Sequence, residues 1–129
     1  MVLPTVGRFL LDSLTHVPQT SDEFNSAALS AQWKWNYQSR MDKWSLDRRL
    51  GYLRLDAFKP LKKGALLQAG NTLTQRCTRA EKCDVTIKMD LNGMADGQQA
   101  GLCHFAGAFS ALGVSQSAGK RILTFNNNG

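Results

Sequence analysis

The segment 84–91 constrains the fold of this chain more than any other. It reads Asp84-Val85-Thr86-Ile87-Lys88-Met89-Asp90-Leu91, apolar and polar in strict alternation. That is the period of a β-strand, whose successive side chains point to opposite faces. The pattern predicts a half-buried strand, with Val85, Ile87 and Met89 lining a core and Asp84, Thr86 and Lys88 in solvent. Truncating Ile87 to Ala is then expected to cost about 2–5 kcal/mol, and Thr86→Ala much less. Asn92-Gly93 follows as a turn signal.

Weaker copies of the pattern run through the rest of the chain. Residues 32–37 place Trp33, Trp35 and Tyr37 on one side and Gln32, Lys34 and Asn36 on the other. Residues 43–47 set Trp44 and Leu46 inward, and residues 52–56 put Leu53 and Leu55 on one face after Gly51, which suits a turn needing positive φ. Leu66-Leu67 and residues 72–77 read as strands divided by the Gly70-Asn71 turn signal. Residues 101–105, 111–115 and 121–125 complete a series of short strands spaced about ten residues apart, the signature of an antiparallel sandwich or barrel. No segment sustains a 3.6-residue period, and only 26–31 suits a helical turn. The expected fold class is all-β.

Residues 1–20 hold Pro4 and Pro18 and no sustained period, which reads as a linker or interdomain arm. The sandwich is expected over 21–129. Asn126-Asn127-Asn128-Gly129 reads as a turn after the last strand, so the domain is expected to be incomplete. The apolar face of Val85, Ile87, Met89, Phe105 and Phe125 is then left partly uncovered, with self-association through open sheet edges.

Composition removes several classes of function. The chain has 129 residues, 43% hydrophobic and 20% charged, which suits one globular domain. No apolar run approaches the roughly 20 residues a bilayer span needs. Residues 1–14 lack the basic and small-residue flanks of a signal peptide, which leaves localisation open, with a secreted or periplasmic parent compatible. The net charge of +6 comes from scattered residues, Arg48-Arg49, Lys62-Lys63, Arg79 and Lys120-Arg121 among them. These do not form the continuous basic and aromatic surface of a nucleic-acid binder. Cys77, Cys83 and Cys103 form no CxxC pair, and His16 and His104 complete no zinc spacing, so no metal or cofactor is expected. Cys77 and Cys83 flank a turn, open either to a cross-strand disulfide in an oxidising compartment or to two small buried side chains.

Catalytic groups are equally scarce. A glycosidase needs two carboxyls facing across a cleft. Asp22 and Glu23 are adjacent, and neighbours in a strand point apart. Ser13 near His16 and Cys103 beside His104 lack a third orienting group. The glycines around 97–107 suit close-packed strand positions and bends.

Several segments, taken in order, carry a resemblance. "VPQTSDEFNS", "LSAQWKWN", "DKWSLDRRLGYLRL", "LLQAGNTLTQR" and "MADGQQAGLCHF" resemble the C-terminal β-sandwich of glycoside hydrolase family 43 enzymes, the β-xylosidase and arabinofuranosidase group. Arg40 and Met41 depart from the small polar turn residues usual there. The resemblance implies a concanavalin-A-like jelly-roll that follows a catalytic β-propeller, its partner in the parent enzyme. It implies a non-catalytic accessory role in plant-polysaccharide hydrolysis, with "NTLTQR" structural or at the domain interface. The alternative is a free-standing carbohydrate-binding module holding cell-wall oligosaccharides. Trp33, Trp35 and Tyr37 on one strand face suit either a sandwich core or a sugar platform. The candidate carbohydrate contacts are Trp44, Asn71, Gln75 and Arg76, the last three in a polar cluster with Thr72 and Thr74.

Overall fold

The computed structural model describes residues 19–37, 39–61, 66–76, 83–105 and 108–128. The expectations for residues 1–18, Lys62-Lys63, Cys77 and Arg79, including the Ser13–His16 pair, lie outside them. The chain divides into two compact units, Met1–Glu81 and Lys82–Gly129.

In the first unit the alternation at 32–37 is realised. Trp33, Trp35 and Tyr37 are half-buried while Lys34 and Asn36 are exposed. Strand β1 (Lys34–Trp35) pairs antiparallel with β4 (Leu73–Thr74), with Lys34 opposite Thr74 and Trp35 opposite Leu73. A 3-10 turn at Met41–Lys43 leads into β2 (Trp44–Ser45), which pairs antiparallel with β3 (Arg54–Leu55). Leu46, just after β2, is the buried apolar side chain of the described residues at 6% exposure. Gly51 takes φ +76°, as the turn before β3 requires.

Leu66-Leu67 departs from the expected strand. Leu66–Gln68 is a 3-10 turn, closed by the Ala69 N–H donating to the Leu66 carbonyl at 3.0 Å. Two adjacent leucines carry no period, and the Gly70-Asn71 turn immediately after leaves no room for a ladder. Gly70 is required there for a second reason: a Cβ would run into the Phe58 ring. Residues 26–31 form bends and a turn rather than a helix.

The second unit is built on a three-stranded antiparallel sheet of β5 (Gln99–Phe105), β6 (Phe109–Ser117) and β7 (Lys120–Asn128), in that order. Pairing is one-to-one throughout, from Gln99 opposite Ser115 to Phe105 opposite Phe109, and from Phe109 opposite Asn128 to Ser117 opposite Lys120. Gly101 and Gly113 face each other across β5 and β6, where a Cβ on Gly113 would approach the Ala100 carbonyl oxygen to 2.8 Å. They are close-packed strand positions. The β6–β7 turn uses two consecutive positive φ values, +50° at Ala118 and +72° at Gly119, the handedness a two-residue hairpin demands.

Register assigns the faces. Ala100, Val114 and Leu123 form one cross-strand row, and Leu102, Leu112 and Phe125 the next on the same face. Phe105 lies on the opposite face with Phe109, at 6.4 Å between ring centroids, so it does not share the Phe125 surface as expected. Asn126 to Asn128 also depart from the sequence reading. They continue β7 rather than turn, and the Ser110 hydroxyl donates to Asn127 Oδ1 at 2.9 Å across the strands.

The largest correction concerns 84–91. The segment forms no ladder among the described residues, and Val85, Ile87 and Met89 are 54%, 47% and 38% exposed. Alternation sets which side chains share a face, but a strand exists only when a neighbour supplies its backbone bonds. The apolar set keeps its direction. Val85, Ile87 and Met89 line an open groove of about 320 Å³ with Leu102, Leu112, Val114 and Leu123.

Candidate functional site

The polar segment after the Gly70-Asn71 turn is where a sugar contact was expected, and its side chains are engaged in internal bonds. Asn71 does not face outward. It is 6% exposed, at φ +53°, a left-handed conformation that asparagine tolerates better than other side chains. Its Oδ1 accepts from the Arg40 N–H at 2.8 Å and its Nδ2 donates to the Arg40 carbonyl at 3.2 Å. One amide thus reproduces a strand's two bonds and fixes the entry to the Met41–Lys43 turn. The Thr72 hydroxyl donates to the Ala69 carbonyl at 3.0 Å, and that of Thr74 to the Lys34 carbonyl at 2.9 Å.

Gln75 is a relay. Its Oε1 accepts from Gln32 Nε2 at 3.2 Å and its Nε2 donates to the Thr20 carbonyl at 2.9 Å. The residues just before Asp22 are thereby tied to β4, although their sequence reads as an arm. Arg76 is exposed at the end of the segment.

The tryptophans make two aromatic pairs. Trp35 and Trp44 sit 5.2 Å apart between ring centroids at 49°, both half-buried, and connect the two short ladders. Trp33 stacks on Phe24 at 5.7 Å and 25°, and its indole N–H donates to Asp22 Oδ2 at 2.7 Å. Asp22 Oδ1 accepts the Phe24 N–H at 2.7 Å, closing a tight turn with Phe24 at φ +51°. Partial burial raises the Asp22 pKa, but the bonds from Phe24, Trp33 and Ser30 outweigh it and hold the carboxyl below its usual range. Sequence reasoning missed this Asp22–Phe24–Trp33 cluster. Its one local signal was an Asp two residues ahead of a bulky residue, the spacing of an Asx turn.

The remaining acids with a resolved shift are engaged in the same way. Asp42 is held low by Arg40, 2.9 Å away. Asp56 is held low by Arg48, with Arg54 at 3.3 Å. Asp96 is held low by the Gly119 N–H at 2.9 Å, then by Gln116 Nε2 at 3.2 Å. Each is an ionised acceptor. A glycosidase acid needs its pKa raised instead. Cys83 and Cys103 carry free thiols. Cys83 is exposed, against the buried reading, and burial pushes the half-buried Cys103 thiol up.

Of the four candidate contacts, then, Trp44 belongs to an aromatic pair, Asn71 is a buried clamp, Gln75 bridges two segments and Arg76 alone stands open at the surface. They do not converge on a shared surface.

Comparison with known proteins places this architecture. The family model of the β-xylosidase C-terminal concanavalin A-like domain matches residues 21–129. A β-xylosidase from Formosa agariphila is 35% identical over 127 residues, an alignment that covers 84% of this chain and 22% of that protein. The chain therefore spans roughly a fifth of that relative's length. No solved structure matches it. Antiparallel strands throughout, with that match along residues 21–129, define a concanavalin A-like β-sandwich domain. The chain belongs to the family of C-terminal concanavalin A-like domains of the β-xylosidases, within glycoside hydrolase family 43.

Proposed function

We propose that this domain is a non-catalytic accessory module that packs on the catalytic propeller of a β-xylosidase or arabinofuranosidase and supports hydrolysis of plant polysaccharides. The match to a β-xylosidase C-terminal domain over residues 21–129 carries this reading. The carboxylates support it. Asp22, Asp42, Asp56 and Asp96 are held ionised by backbone N–H groups and arginines, as structural acceptors are. A free-standing carbohydrate-binding module is the weaker reading, because a sugar platform needs flat, exposed rings. Trp35 and Trp44 are half-buried and inclined at 49° to each other.

The test has two arms. The purified chain is assayed on aryl β-xylosides and arabinofuranosides, and is then titrated onto a family 43 propeller lacking its own sandwich. No turnover by the chain alone, together with a stable complex that raises the propeller's activity or thermal midpoint, is the expected result. Turnover by the chain alone that is abolished by replacing one of its acids overturns the reading. So does a propeller indifferent to the chain.

A further inference from the structure

The outer edge of β7 is a docking edge, and we infer that its occupant is a second copy of this chain, paired antiparallel about Thr124. The inference rests on the second unit alone and is independent of the accessory role.

Among the described residues β7 ends the strand order β5-β6-β7, so one side of Lys120–Asn128 is bonded to β6 and the other presents free backbone groups. Natural edges are normally guarded by proline, a bulge, an inward charge or shortness. None guards this one. The strand is 9 residues long, its pairing with β6 is one-to-one without a bulge, and residues 122–128 contain neither proline nor charge. Ile122, Leu123 and Phe125 are 54%, 71% and 69% exposed. An uncharged, bulge-free edge with exposed apolar side chains is a template for strand addition.

The order of residues along β7 selects the occupant. Both cations, Lys120 and Arg121, stand at one end and three asparagines at the other. A parallel copy would set Lys120 beside the partner's Lys120 and Arg121 beside the partner's Arg121. An antiparallel copy centred on Thr124 sets Lys120 opposite the partner's Asn128 and Arg121 opposite the partner's Asn127. Leu123 then faces the partner's Phe125, and Ile122 faces the partner's Asn126. No like charges meet, and each cation gains an amide acceptor. Leu123 and Phe125 lie on the face that carries Leu102, Leu112 and Val114. The apolar rows of the two copies therefore run on into each other as one six-stranded sheet. The arrangement is a closed two-fold pair, in which the same patch serves both copies.

Thr124 lies on the two-fold axis, so a substitution there meets itself. The full chain and its Thr124→Lys and Thr124→Glu variants are compared by sedimentation velocity over a range of concentrations. The expected result is a concentration-dependent dimer for the unaltered chain. Each variant alone should have a dissociation constant raised about fivefold or more by the like charges, and an equimolar mixture of the two should return to heterodimer. Circular dichroism checks that the variants keep their strands. Hydrogen exchange on the unaltered chain at high and low concentration supplies a reading free of substitutions. Alternate β7 amides, those on the outer edge, should be protected only at high concentration. A monomer at all concentrations overturns the inference. So does a dimer indifferent to both charges at 124, or one that protects the groove residues and leaves the β7 edge unchanged.

Discussion

Asn71 offers the sharpest test of how the first unit is held together. Its side chain makes both of its bonds to one residue, 2.8 Å from the Arg40 N–H and 3.2 Å to the Arg40 carbonyl. Each bond contributes about 1 kcal/mol net, so Asn71→Gly, which keeps the φ of +53° without strain, should destabilise by about 2 kcal/mol. Asn71→Ala loses the same bonds and must also hold a Cβ in the left-handed region, adding about 1–2 kcal/mol. The difference between the two variants isolates the backbone term from the hydrogen bonds. All three tryptophans lie in the unit Met1–Glu81, so urea unfolding followed by tryptophan fluorescence reports on the correct part of the chain. Against a total stability of about 5–15 kcal/mol, a loss of 2 kcal/mol gives a clear shift in midpoint. If both variants fall within about 0.5 kcal/mol of the unaltered chain, Asn71 does not act as a clamp. If Gly and Ala cost the same, the positive φ is not what asparagine is there to supply.

Three further outcomes are expected. Asp96→Ala removes the acceptor for the Gly119 N–H and Gln116, so amide exchange at 118–119 should speed up at neutral pH. Because the folded pKa lies below 3.8, the carboxylate's contribution is complete above 3.8 and is lost as pH falls through the lower folded value, where the variant and the unaltered chain should converge. Ile87→Ala, expected from alternation alone to cost about 2–5 kcal/mol, should cost about 1 kcal/mol by chemical denaturation, since Ile87 is 47% exposed. Gly113→Ala should cost about 1–3 kcal/mol because its Cβ would meet the Ala100 carbonyl oxygen at 2.8 Å, whereas Gly93→Ala, with nothing within 4 Å, should be close to neutral in the same thermal melts.

Period-2 alternation conveyed which side chains share a face far better than it conveyed which segments pair. At 32–37 it placed Trp33, Trp35 and Tyr37 together, and they are half-buried together. At 84–91 the direction of Val85, Ile87 and Met89 was equally legible, and they do line one groove with Leu102 and Leu112. The ladder was not legible, because a strand's partner is a property of remote sequence and of register. The Asn126 to Asn128 run shows the opposite error. Asparagine favours turns in isolation, yet these residues sit opposite Ala111, Ser110 and Phe109, and the bond from Ser110 to Asn127 favours the extended form.

The candidate site was misleading for a related physical reason. A row of amides and hydroxyls beside tryptophans suits a sugar, because such groups donate and accept in many directions. The same property suits them to satisfy stray backbone groups in a fold whose ladders are only two residues long. Strands this short leave N–H and C=O groups beyond their ends, and each must find a partner or stay wet. In the first unit those partners are Asn71 for Arg40, Thr72 for Ala69, Thr74 for Lys34 and Gln75 for Thr20. Composition reports that the hydrogen-bonding capacity exists, and only the backbone path decides whether it is spent inside. Here short ladders draw it inward, which leaves Arg76 as the one candidate contact still open at the surface and gives an accessory, packing role more support than direct sugar recognition.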